Sequence, residues 1–173
     1  MPSRMEEVTS KAAGAMKSAK ATIEGLSGVF KELAKEHGEV SALLMRVKMT
    51  SDEQVRRELF PKIRSELLSH EKGELREVYP IFRQHPELQK FAADHDTEAQ
   101  ELERMLNELS AIPVSDESWG SRFEKLVELV KQHVSEEEND YFPTAERVLG
   151  KDESERMDER FLKVKAEVMQ QLS

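Results

Sequence analysis

The chain contains no cysteine. Disulfides, thiolate metal sites, iron–sulfur clusters and cysteine nucleophiles are thereby excluded, and any metal must be held by imidazole and carboxylate. Glycine and proline are scarce, seven and six among 173 residues, and aromatics make up 6%. With 35% charged and 38% hydrophobic residues, that scarcity of helix breakers favours a soluble all-helical protein over a strand-rich one. No run of about 18 apolar residues is present, so no transmembrane helix is expected. The first twenty residues lack the continuous apolar core of a signal peptide. A cytoplasmic location without a membrane partner is the expectation. A formal net charge of -9 offers no basic excess, so no nucleic-acid partner is expected either.

What the chain does have is amphipathic periodicity. Residues 1–25 carry a weak stripe of Met5, Val8, Ala12, Ala15, Ala19 and Ile23, weakened by Gly14, Gly25 and the following Gly28, and form an N-terminal extension of helical or partly disordered character. Four stronger helical patterns follow, at about 26–49, 51–84, 86–109 and 119–146. Pro61 marks a kink or late start in the second. Ser51 and Gln54 have capping-box spacing, and Ser115 or Asp116 is the expected cap before the fourth. Pro143 kinks or interrupts that fourth helix, and Gly150 ends it. A last amphipathic helix spans 151–173 with Met157, Phe161, Val164, Val168 and Leu172 on one face. The fold class is all-α: an antiparallel up-down four-helix bundle over 26–150 with an extra helical segment at each end.

The apolar stripes are interrupted at matching points. His37 and His95 occupy apolar positions on the first and third patterns, whereas the second and fourth carry His70-x-x-x-Glu74 and His133-x-x-x-Glu137. An i, i+4 pair lies about 40° apart on a helix, so each His and Glu share a face. In both copies a proline, Pro80 or Pro143, follows the glutamate by six residues, and an aromatic, Tyr79 or Phe142, precedes it. A lone buried histidine is more often a hydrogen-bonded core residue than a ligand, and a lone His-x-x-x-Glu is near chance in an acid-rich chain. Two in register, with two further histidines at matching points, are not. Six such groups facing one interior would each cost several kcal/mol without partners, a penalty that a cation removes. A single zinc saturates at about four ligands, so six groups point to two metals bridged by carboxylates, iron first, with manganese and zinc behind it. His85, before Pro86, is expected in a solvated turn, and Glu136 and Glu138 on a solvated face.

These motifs resemble the hemerythrin-like, or HHE cation-binding, family over roughly residues 26–150. The resemblance implies a four-helix bundle around two iron ions, Fe2+ or Fe3+, with an oxo or hydroxo bridge. His37, His70, His95 and His133 would be terminal ligands, and Glu74 and Glu137 bridges. Oxygen-carrying members have a fifth histidine where this chain has Ala99, and an aspartate five residues after the last histidine, where Glu138 stands; here Glu137 lies at four. In having Glu71 directly after His70, the chain is similar to an iron-sensing hemerythrin-like domain of a ubiquitin-ligase subunit. Glu71 and Glu98 are therefore candidates to complete the shell. The implied activity is binding O2, or handling peroxide or nitric oxide, behind a lining such as Leu67, Phe91 and Val130. Alternatives are an iron or oxygen sensor acting through a partner, and a peroxide-decomposing enzyme with Tyr79 or Tyr141 as relay. The residues do not choose between binding protein and enzyme, nor do they set the oligomeric state.

Overall fold

The computed structural model describes residues 2–173. Helices α1 (Arg4–Ile23), α2 (Gly28–Lys48), α3 (Glu53–Glu77), α4 (Tyr79–Phe82), α5 (Gln89–Ser110), α6 (Trp119–Glu136), α7 (Phe142–Leu149) and α8 (Lys151–Leu172) succeed one another, with a π-helical turn at Glu137–Tyr141 between α6 and α7. No strand occurs among the described residues. Helices α2, α3, α5 and α6 form the antiparallel bundle expected. Helix α1 lies along α2, while α8 packs on α3 and α2.

The N-terminal segment is a full helix rather than a partly disordered one. Ser3 caps it, its side chain accepting from the Glu6 amide while Glu6 accepts from the Ser3 amide at 2.8 Å. Gly14 does not break it because α1 runs so close to α2 there. A Cβ at Gly14 would meet the Lys35 carbonyl at 2.9 Å, and one at Gly38 would meet the Ala13 carbonyl at 2.5 Å. Helix α3 starts at Glu53 and continues through Pro61 without interruption, so the proline does not mark a late start. Its cap is Asp52, which accepts from the Gln54 amide at 2.9 Å, in place of Ser51. Asp116 is not the cap residue of α6 but fixes the turn before it, accepting from the Ser118 amide at 2.8 Å.

Two apolar clusters fill the bundle. One gathers Val40, Leu44, Ile63, Leu67, Leu106, Trp119 and Leu126; the other gathers Phe30, Leu33, Val78, Tyr79, Phe142, Met157 and Phe161. Along each bundle helix the polar residues sit between the two. On α2, Leu33 and Val40 flank His37, and Leu67 of α3 and Val78 just beyond its end flank His70 and Glu74. A polar layer thus spans the bundle's waist, sealed from water by apolar packing on both sides. Helix α8 closes over this layer at Gly73, where a Cβ would lie 2.5 Å from the Phe161 ring.

Candidate metal centre

All six histidines and glutamates expected at the site converge and are buried, with Glu74, His95 and Glu137 at 0% exposure. They fall into two sets. His37, His70, Glu74 and Glu137 offer atoms within 4.8 Å of one another, as do Glu71, Glu74, His95 and His133. Glu74 belongs to both. Glu71 therefore joins the set on the His95 side, its Oε1 2.8 Å from His95 Nε2. Glu137 lies between the sets, 3.5 Å from His37 Nε2 and 2.5 Å from His133 Nε2.

Apart from His95 Nε2, which lies 3.2 Å from Glu74 Oε2 in a hydrogen bond, these inward atoms are close but make no hydrogen bond of proper geometry. The Nε2 atoms of His37, His70 and His133, and the Oε1 atoms of Glu71, Glu74 and Glu137, lack a partner of proper geometry. Buried polar groups are normally satisfied, because an unmet one costs about 1–3 kcal/mol. Donor atoms that converge on common points, rather than aligning with one another, are the arrangement cation ligands take. The donor set of imidazoles and carboxylates without sulfur fits iron, manganese or zinc.

The outward ring nitrogens show how the imidazoles are held. His37 Nδ1 lies 3.0 Å from Glu138 Oε1, His70 Nδ1 3.0 Å from Glu36 Oε1, and His133 Nδ1 2.7 Å from Glu98 Oε2. A carboxylate on Nδ1 fixes the tautomer that leaves Nε2 free to ligate and raises its basicity. His95 lacks such a partner and is held instead by Tyr79, stacked on it at 3.6 Å. Glu98 thus orients His133 rather than joining the inward set. Glu138, expected on a solvated face, turns inward to His37. Glu36 carried no signal in the sequence beyond its place one residue before His37.

The electrostatics follow from burial and pairing. Burial lowers the pKa of His95, but Glu71 and Glu74 outweigh it and push it up to about 10. Burial likewise opposes the charge on His70 and His133, yet Glu74 and Glu137 hold both well above the usual histidine range. Burial raises Glu36, but His70 and Lys165 bring it down to about 2. Without a metal the layer is a network of imidazolium–carboxylate contacts, and a cation entering it must displace protons. Tyr79 Oη donates to Glu137 Oε2 at 2.8 Å. Tyr141 stays outside, stacked on Phe91 at 4.3 Å and 3.5 Å from Glu136. Phe91 accordingly lines no part of the centre, whereas Leu67 and Val130 line an apolar cavity beside His37, His70 and His133. His85 lies in the turn after α4, outside both sets.

Residues 28–145 match the hemerythrin HHE cation binding domain. The chain belongs to that family, and its buried His/Glu sets are those of a metal-binding hemerythrin-like protein. A curated relative is described as a DNA nickase from Nostoc sp. (strain PCC 7120 / SAG 25.82 / UTEX 2576), 27% identical over 142 residues. Those residues are 79% of this chain but 39% of the relative, so the chain spans about two-fifths of that protein's length. No solved structure gives a significant match. The relative overturns the expectation that nucleic acid is no partner. That expectation leaned on net charge, which sums the whole surface, whereas screening confines charge recognition to about 8 Å. No described helix is long and apolar enough to cross a membrane.

Proposed function

We propose that the chain holds two iron ions between α2, α3, α5 and α6 and binds a small ligand there: O2, peroxide or nitric oxide. The observation that supports this reading is the pair of four-residue sets sharing Glu74, with unpartnered donor atoms in both. His37, His70, Glu74 and Glu137 would hold one ion, and Glu71, Glu74, His95 and His133 the other. Iron in such a shell supplies one-electron redox chemistry and open positions for a diatomic or peroxide ligand.

The chain's own residues supply the rest. Glu36, Glu138 and Glu98 hold three imidazoles with Nε2 inward, and the Tyr79 hydroxyl holds Glu137. Three inward carboxylates, rather than the two expected, offset more of the cation charge. Val40, Leu67, Leu102, Leu129, Val130 and Val134 form the apolar wall beside the layer. An apolar wall admits an uncharged small molecule and keeps the carboxylates short of competing water. Burial of Tyr79, and then the charge of Glu137, push its phenol well above the usual range, so it stays a donor near neutral pH.

Metal analysis after iron-replete expression tests the reading: about two equivalents of iron are expected, and fewer than about 1.5 would overturn it. With iron present, a stable spectrum on adding O2 to the reduced protein marks a carrier. Turnover of hydrogen peroxide marks an enzyme, and metal-dependent protease resistance marks a sensor. The division of the chain into a metal-binding unit at 26–150 and appended segments at 1–25 and 151–173 is part of the same proposal.

The Nostoc relative's name favours a second reading, nicking of DNA. Supercoiled plasmid incubated with the iron-loaded protein should then relax to the open circle, and a Glu74→Ala protein should leave it intact. Plasmid unchanged by the loaded protein would remove this reading.

A further inference from the structure

Two lysines outside the matched segment reach into the polar layer. Lys17 on α1 places Nζ 2.6 Å from Glu138 Oε2, whose other oxygen meets His37 Nδ1 at 3.0 Å. Lys165 on α8 places Nζ 2.9 Å from Glu36 Oε1, the same atom that meets His70 Nδ1 at 3.0 Å. Lys165 also reaches Glu66 at 3.4 Å. Both chains of contacts end at the set containing His37 and His70. On the other set, His133 is held by Glu98, which has no lysine or arginine ion pair among the described residues, and His95 Nδ1 has no partner. The family match covers 28–145, so both lysines come from the appended helices.

We infer that Lys17 and Lys165 are positioning residues which make the two metal subsites unequal, biasing the His37/His70 subsite toward the lower metal oxidation state. The inference rests on the di-iron reading above. Two effects of each lysine act in the same direction. Its charge opposes a further positive charge on a metal nearby. It also draws electron density from the glutamate, which then pulls less on the imidazole Nδ1 proton, so the ligand donates less. The second subsite has no lysine behind its imidazoles, so it lacks the ligand effect and feels the charge from farther away. The iron at His37/His70 is therefore reduced first, and the appended helices set the difference between the two irons.

The test is a mediated redox titration of the iron-loaded protein, preceded by metal analysis. Lys17→Gln and Lys165→Gln should each retain two irons. Each should shift the ferrous/ferric equilibrium of the upper couple about tenfold toward ferric, equivalent to about 59 mV for one electron. The gap between the two couples should narrow. Lys165→Arg should restore the wild-type potential, whereas a lysine needed only for packing would not be replaced so simply. Lys131→Gln, whose lysine meets only Glu128 at 3.7 Å, should change nothing. Unchanged potentials at full iron content would overturn the inference. So would equal falls in both couples, or an equal effect from Lys131→Gln. Wild-type protein without iron would overturn the di-iron reading and this inference together, and metal analysis identifies that case before any potential is read.

Discussion

From His70 to Pro80 and from His133 to Pro143 the spacing is identical, yet the two copies solve the same backbone problem differently. A proline lacks the amide that would bond four residues back, and its ring collides with that carbonyl. In the first copy the helix stops at Glu77, and Val78, at φ -110° and ψ -63°, leads into the short helix α4. In the second the helix widens into a π turn, the Phe142 amide bonding Glu137, and continues as α7. Glu138, the second residue of that π turn, faces inward beside Glu137 and meets His37. Single π turns of this kind occur often at functional sites.

The copies also differ at the residue directly after the histidine. Glu71 enters the His95 set, whereas its counterpart Val134 lines the apolar cavity. One repeat supplies an additional carboxylate and the other a wall. A duplicated pattern has therefore become an asymmetric centre, and removing single groups tells the halves apart.

The largest effect should come from Glu74, the residue common to both sets. Glu74→Ala should lower bound metal from about two equivalents to near zero by elemental analysis. Two equivalents retained would break the shared-ligand picture. Glu71→Gln should be milder and one-sided, leaving about one equivalent in the His37/His70 set. Loss of both metals would show the sets to be inseparable. His85→Ala should leave metal content unchanged.

A smaller effect is expected at the contact that only the first copy makes with Phe161. Gly73→Ala puts a Cβ 2.5 Å from that ring, and overpacking of this kind should cost about 1–3 kcal/mol in urea unfolding. Gly120→Ala, whose Cβ would meet only Arg56 Nη2 at 3.3 Å, should instead be neutral or gain up to about 1 kcal/mol. Equal effects at the two glycines would sink the close approach of α8.

The smallest effect concerns Asp158 on α8. Burial, then Glu32 and Glu36, raise its pKa to about 6, and its Oδ1 has no partner. A carboxyl raised above its unfolded value favours the fold when protonated. That contribution is present below about pH 4 and is lost as pH rises through about 6. Asp158 is half-buried, so screening removes part of the effect, and Asp158→Asn should stabilise by up to about 1 kcal/mol at pH 7.5. The gain should vanish near pH 4 in paired melting curves.

The His-x-x-x-Glu pairs, His37 and His95 were legible because each interrupts an apolar stripe at a position that faces the core whatever the crossing angles. The bundle was legible for the same reason. Glu36 and Glu138 were not, since a glutamate beside a stripe in a chain with 35 acidic residues reads as solvated. Glu138 lies in the π turn that begins at Glu137, and Glu36 faces inward because α3 and α8 pack over that side of α2, bringing His70 and Lys165 to it. Helix α1 was less legible because Gly14 looks like a breaker, and only packing shows it, with Gly38 of α2, as a place where two backbones touch.

The sequence by itself determined the helices, the absence of thiolate, the six inward groups and their repeat, because periodicity of 3.6 residues assigns each side chain to a face. The tertiary structure alone decided which groups share a subsite, that Glu71 crosses to His95, and that the carboxylates behind the imidazoles meet lysines from the two ends of the chain. Those contacts join residues far apart in the chain, such as Glu71 to His95, Glu36 to His70 and Glu36 to Lys165. No local pattern encodes them, because they depend on which faces the packed helices bring together.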